Sequence, residues 1–505
     1  MTNGDAGGNQ AEIHFTNSAT AGSLTLFTNR GSSVSGLGLV GTVFYDTASA
    51  GNGAFINEGG AVSSAGGSNV LFFGTSTAGN ATFTNHGGAL PHAGGGEVIF
   101  FETSTAGNAT FTNHGGAVPG ADGGRVVFFD FSTGGNGTFT MNGGEVSGAY
   151  GSFLQLSDGS TGGNATFTIE GGAVSGAFGA DVGFDNATGG DATFIVNGGA
   201  VGGAAGGNIG FAGTASAGNA TLIANAGLGG GEGGSIWFFD KSRGGTARVE
   251  LFGNGNLDIS DYIARRGVTI GSIEGDGDVF LGAMNLSVGS NSLSTVFSGV
   301  IQDGGIVGGT GGSLTKIGTG KMVLNHRNTY TGGTTVKRGK LMVNNDGGSG
   351  TGSGPVQVNG GMLGGKGIIA GAVTVGTGSG QGATLSPGYV HGVGSPGTLT
   401  IQSALIFNAD ATYDVDVNSS TASADEVIAN GVTINAAAQF SFNDIGSSML
   451  AFGTVFTVIN NPAALPIAGT FSNLPDGSMF TANANTYQVN YEGGDGNDLT
   501  LTVVP

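Results

Sequence analysis

The sequence predicts an all-β fold, a right-handed parallel β-helix with three sides and 28 residues per coil in its N-terminal half. A repeated phrase, a set of constant apolar columns and an unusual glycine content point there. The phrase Gly79-Asn80-Ala81-Thr82-Phe83-Thr84-Asn85-His86-Gly87-Gly88 returns from Gly107 and Gly163, and more loosely from Gly51, Gly135, Gly190 and Gly218. Asn52, Asn80, Asn108, Asn136 and Asn164 are spaced by 28 residues, and the series continues at Asp191, Asn219 and Thr246 with steps of 27, 28 and 27. A period of this length describes a stack in which each repeat buries its apolar residues only against its neighbours. The 108 glycines lack the every-third spacing of collagen, and 38% hydrophobic residues, 32 of them Phe, are too many to leave solvated. Short strands joined by glycine-rich turns reconcile the two.

Each unit contains three short apolar clusters. In the first, Ala81 to Asn85, alternate residues face opposite ways. Phe55, Phe83, Phe111, Phe139, Phe167, Phe194, Leu222 and Val249 stay apolar and are read as inward, while the flanking columns end in Arg248 and Glu250 and face water. The second cluster is the Ala89-Leu90 step, with Val62, Leu90, Val118, Val146, Val174 and Val201 as its inward column. The third carries two inward columns: Val70, Val98, Val126, Leu154, Val182, Ile209, Ile236, and Phe72, Phe100, Phe128, Leu156, Phe184, Phe211, Phe238. Between and after them identities wander through Leu71, Ile99, Val127, Gln155, Gly183, Gly210, Trp237 and through Phe73, Phe101, Phe129, Ser157, Asp185, Ala212, Phe239, as outward positions do. Coils about 4.8 Å apart would make a rod of roughly 40 Å before residue 250.

Four segments are expected: regular coils over 1–250, irregular coils over 251–312, a third coil region over 313–400 and a β-rich end over 401–505. In the later part, Leu314-Thr-Lys-Ile-Gly-Thr-Gly-Lys-Met-Val-Leu, Asn328-Thr-Tyr-Thr-Gly-Gly-Thr-Thr-Val and Gly339-Lys-Leu-Met-Val-Asn resemble the passenger-associated repeat of bacterial autotransporters. The stretches from Val358, Leu385 and Ser395 resemble the segment next to that repeat in the same family, and the endings from Ile467, Leu474 and Tyr491 resemble the family's passenger C-terminus. The resemblance covers about residues 313–505 and implies an exported passenger domain displayed on the surface of a Gram-negative bacterium. The opening MTNGDAGGNQ lacks the basic and apolar regions of a signal peptide, and a single short strand, Leu499 to Val504, comes after the last glycine turn. A passenger fragment, or a chain with a separate translocator, is therefore expected.

Composition narrows the partners. Acids outnumber bases 34 to 14, a net charge of −20 that disfavours nucleic acid and anionic lipid. The absence of cysteine excludes disulfides and thiolate metal sites. No apolar run is long enough for a spanning helix, so membrane insertion by this segment is not expected. No cofactor and no catalytic residue are expected.

Several patterns carry possible chemistry. Thr82/Thr84, Thr110/Thr112, Thr138/Thr140 and Thr166/Thr168 form a hydroxyl array resembling the face of β-helical ice-binding proteins, which the β propensity of Thr also explains. Phe73, Phe101 and Phe129 should stack outward with Leu71, Ile99 and Val127 beside them, forming either a contact surface or a surface covered by the protein's own loops or by lateral packing. Glu102, Asp130 and Asp158 align in consecutive coils, where neighbouring charges repel by roughly 1 kcal/mol and Ca²⁺ would relieve them. Gly493-Gly-Asp-Gly-Asn-Asp498 fits one calcium-binding nonapeptide, and His86 with His114 could share a metal or belong to a polar ladder. The Asn-x-Thr sequons at Asn80, Asn108, Asn164 and Asn219 are a consequence of the repeat. The leading expectation is a non-catalytic adhesive module whose binding residues are Phe73, Phe101, Phe129, Ile99 and Val127. Its partner would be a host or matrix protein, a glycan or another copy of itself. The alternative is a polysaccharide lyase-like enzyme, which would need acids converging with Lys or Arg in a cleft; Lys241 and Arg243 lie coils away from the acidic row.

Overall fold

Every regular element is a strand in the computed structural model, which describes residues 12–262, 267–380, 382–388 and 396–505. The opening MTNGDAGGNQ and Ser395 lie outside the described residues. The chain forms two compact units, one of Met1–Gly271 with Gly275–Val279, the other of Ser272–Glu274 with Phe280–Pro505.

The first unit is a parallel β-solenoid whose strands pair one coil on. Thr82, Phe83, Thr84 and Asn85 lie opposite Thr110, Phe111, Thr112 and Asn113, and Val98 to Phe100 opposite Val126 to Phe128. The step shortens to 27 where Thr166 pairs with Thr193, as the sequence spacing does. The Phe83 column is buried throughout, and so are the Val98 and Phe100 columns. Rings stack along each column, Phe83 on Phe111 at 4.8 Å and Phe72 on Phe100 at 4.7 Å between centroids. Across the core Phe72 meets Phe83 edge-on at 6.0 Å. Stacked and edge-to-face contacts together make a cross-linked aromatic core, each pair adding about 0.5–1.5 kcal/mol beyond area burial.

The second cluster does not face inward. Leu90 is 42% and Val201 41% exposed, whereas Ala65, Ala93, Ala121, Ala149, Ala177 and Ala204 are buried. The segment is a pinched loop: Gly96 N donates to the His86 carbonyl at 2.8 Å, returning the chain to where it left. Gly87 and Gly88 permit the pinch, since an added Cβ would lie 2.4 Å from the Gly115 oxygen or 2.1 Å from the Ala93 oxygen. The third ladder forms instead through single-residue bridges, Thr77 to Thr105 to Thr133 to Thr161.

Polar ladders run with the apolar ones. Inside, the buried amides of Asn29, Asn57, Asn85 and Asn113 bond in series at 2.8, 2.7 and 2.6 Å, and the column then turns apolar at Met141, Ile169 and Val196. Outside, Asn80 donates to Asn52, Asn108 to Asn80 and Asn136 to Asn108, each at 3.1 Å. That series is the structural reason for the 28-residue asparagine repeat.

The second unit also stacks parallel strands, with coils of uneven length. Lys321 pairs with Lys340 and Lys340 with Met362. The C-terminal strands change sense: Asp498–Val504 runs antiparallel to both Val455–Asn460 and Asn485–Gly493, and Met479–Ala482 is antiparallel to the latter. Such a hairpin end covers the last parallel strand on that side.

Candidate interaction surface

The outward face of the ladder formed by Ser68–Phe72, Glu97–Phe100, Arg125–Phe128, Phe153–Ser157, Asp181–Asp185, Asn208–Ala212 and Ser235–Phe238 carries the expected aromatic strip. Tyr45 extends it: Tyr45 stacks on Phe73 at 5.4 Å, Phe73 on Phe101 at 4.7 Å, and Phe101 on Phe129 at 5.4 Å. The rings and Ile99 are half-buried, each covering part of the next. Val127 is not a surface residue, being 3% exposed. It is enclosed by Ile99 and Gln155 on the adjacent strands and by Arg125 and Phe129 on the same face of its own strand.

Farther along, the face opens into a shallow cleft of about 630 Å³ lined by Phe153, Gln155, Asp181, Gly183, Trp237 and Phe239. An adjoining recess shares Phe153 and Asp181 with it and is lined also by Asp122, Arg125, Tyr150 and Phe178. Acids and a base therefore do meet in one place, a convergence that the sequence spacing did not reveal. The Arg125 guanidinium lies 3.5 Å from the Glu97 carboxylate and 5.4 Å from the Phe153 ring centre. Burial pushes the Glu97 carboxyl up, and Arg125 opposes that shift. Tyr150 and Phe178 stack at 5.1 Å with about half of each exposed.

The acidic column has a local purpose. Glu102, Asp130 and Asp158 occupy a left-handed turn position, with φ of 56°, 55° and 60°. Glu102 accepts from Gly74 N at 2.7 Å and Asp130 from Glu102 N at 2.9 Å, so these carboxylates cap amides of the preceding coil. Asp498 likewise accepts from Asn461 N at 2.8 Å. His86 and His114 stack at 5.0 Å, with Glu145 3.7 Å from His114. Among the described residues no group of three or more His, Asp or Glu is placed to hold a metal ion.

Residues 314–343 match the passenger-associated-transport-repeat family. Over 119 residues the chain is 35% identical to the adhesin BmaC autotransporter of Brucella suis biovar 1 (strain 1330), a match covering 22% of this chain and 3% of that protein. Both matches support an autotransporter passenger domain.

Within the matched repeat, Lys316 and Asn328 hold consecutive coils together. Asn328 accepts from Ile301 N at 2.7 Å on one side and donates to the Gly350 carbonyl at 2.6 Å on the other. Tyr330 is fully buried, its hydroxyl bonded to Thr334 Oγ1 at 2.5 Å. Lys316, 1% exposed, donates to the carbonyls of Ile317, Gly318 and Arg338, while burial pushes its ammonium down to about 8. Arg338 belongs to the following turn, so one side chain ties two turns of the repeat.

Proposed function

We propose that this passenger is a surface-displayed adhesive module that catalyses nothing and binds through the outward face of its first solenoid unit. The observation that carries this reading is the stacked, half-exposed row Tyr45, Phe73, Phe101 and Phe129, continued by an open cleft on the same ladder. Rigid aromatic rows provide large contact area with little side-chain entropy to lose. The partly matching relative is itself named an adhesin. The partner would be a host or matrix protein, a glycan or a second copy of the chain. Binding of the purified chain to surfaces coated with matrix proteins or glycans tests it, with Phe73→Ser/Phe101→Ser/Phe129→Ser as the comparison. Undiminished binding by that variant would sink the proposal.

The lyase-like reading has the recess of Asp122, Arg125, Tyr150 and Asp181 in its favour. Against it stands Arg125, held between Glu97 and Phe153 as a structural cation rather than a free base. Release of unsaturated product from an acidic polysaccharide, lost in Arg125→Ala, would favour catalysis.

A further inference from the structure

The central outward column of the first unit's ladder reads Leu71, Ile99, Val127, Gln155, Gly183, Gly210, Trp237, each residue paired with the next. Gly183 and Gly210 therefore lie side by side, and the sheet surface between Gln155 and Trp237 is bare backbone. Three coil steps separate those two residues, about 14 Å. Phe153 and Gln155 form one wall, Trp237 and Phe239 the other, with the two aromatic rings edge-to-face at 5.9 Å. The walls lean over the floor: an added Cβ would lie 2.7 Å from Gln155 Oε1 at position 183 and 3.3 Å from the Phe239 ring at position 210.

Three carboxylates rim this space, and each already accepts one hydrogen bond. Asn208 Nδ2 donates to Asp181 Oδ1 at 2.9 Å, Asn186 Nδ2 to Asp185 Oδ1 at 2.9 Å, and Gly213 N to Asp240 Oδ2 at 3.1 Å. The rim thus offers donor–acceptor pairs beside exposed ring faces.

We propose that this cleft binds a neutral, hydroxyl-rich glycan, with pyranose rings against Trp237 and Phe239 and their hydroxyls on Asp181, Asp185 and Asn208. The proposal rests on the adhesive reading and supplies its ligand class. Sugar C–H faces are weakly positive and suit the negative face of an aromatic ring. Adjacent hydroxyls both donate and accept, as the carboxylate–amide pairs do. A polyanion would meet three acids in a chain of net charge −20, which disfavours acidic polysaccharides. A volume near 630 Å³ lies within the usual range for small-ligand sites. The adjoining recess, with Tyr150 and Phe178 stacked at its edge, allows further sugar units beyond the first.

Trp237 is the only tryptophan in the chain, so its fluorescence reports directly on the cleft. The intact chain is titrated with cellohexaose and mannohexaose, with hexagalacturonate and hexalysine as charged comparators. A saturable change with a neutral hexasaccharide is expected, weakened at least tenfold in Gly183→Val/Gly210→Val. Neither glycine has a left-handed φ and β-branched residues suit a strand face, but the added side chains must displace the Gln155 amide and the Phe239 ring edge, so binding is read at temperatures where circular dichroism shows the β structure of the filled variant intact. Trp237→Phe, followed by calorimetry, should weaken binding less because a ring remains. No response to either neutral hexasaccharide, stronger binding of a charged comparator, or unchanged binding by the filled variant overturns the proposal. Adhesion of the filled variant equal to that of the parent would remove the cleft while leaving the adhesive reading. A saturating titration by a chain that adheres to no coated surface would keep the cleft and remove that reading.

Discussion

Phe100 meets Phe111 edge-on, their ring centres 6.0 Å apart, and this contact joins the two principal ladders of the first unit. Phe111 also stacks on Phe83 at 4.8 Å and on Phe139 at 4.5 Å. Phe111→Ala should cost about 3–5 kcal/mol, as for other large core truncations. Phe111→Asp, which buries an unpaired charge, should cost more. Denaturant unfolding of both variants checks this; a loss under about 1 kcal/mol for the aspartate would mean that the column is not core.

The inner asparagine ladder predicts non-additivity. Asn85→Leu removes the acceptor for Asn57 and the donor to Asn113, so it should cost roughly 1–3 kcal/mol for each group left unpaired. Replacing Asn29, Asn57, Asn85 and Asn113 together by apolar residues should cost less than four such losses, because Met141 and Ile169 already occupy the same column. Equal, additive losses in a mutant series would contradict the ladder's cooperativity.

These columns were legible because a strand alternates faces every residue while the coil repeats every 28, so comparing repeats separates Phe83 from Thr82 and Thr84 without coordinates. The Leu90 column misled for a physical reason. A short apolar step in a glycine-rich loop has no alternation to read, and the loop pinches where Gly96 N reaches the His86 carbonyl. The constant alanine at Ala93 and its equivalents was the better signal, because only a small side chain fits inside that corner. The cleft was half legible: Gly183 and Gly210 stand in the wandering outward column. Their meaning required the register that sets them between Gln155 and Trp237. Arg125 reached the recess by a coil-to-coil step that linear spacing hides.

In the second unit Asp425 is buried, and burial pushes its carboxyl up to about 7. Amides of Asp416 and Gly397 oppose that shift, and the charges of Asp416 and Asp414 reinforce it. The unfolded chain would titrate near the usual carboxylate value of about 3.9. The folded state therefore holds this proton more tightly. Its contribution favours folding fully below about pH 4 and is lost as pH rises to about 7, on the order of 4 kcal/mol in all. Melting of the intact chain at pH 5 and pH 8 should show the fall for this unit, and Asp425→Asn should flatten it. An unchanged pH dependence in that variant would assign the effect elsewhere.

Lys316 predicts how strongly the transport repeat holds its turns. Lys316→Met would leave the Ile317, Gly318 and Arg338 carbonyls without their donor. A loss of roughly 2–4 kcal/mol is expected from charge-assisted bonds of this kind. Hydrogen exchange should rise first at the turns around Gly318 and Gly339. Exchange confined to distant strands would show that the ammonium does not clamp these turns.

A paired comparison of surface binding shows whether the protein adheres through one face. One variant carries Phe73→Ser, Phe101→Ser and Phe129→Ser; the other carries Thr84→Asn and Thr112→Asn on the separate threonine ladder. Both are measured at temperatures where circular dichroism shows intact β structure, since unstacking the half-buried rings should cost about 1 kcal/mol per pair. Binding to a coated surface should fall at least tenfold for the phenylalanine variant and stay near the parent value for the threonine variant. Equal binding by all three proteins, or loss confined to the threonine variant, would contradict the assignment of the aromatic face.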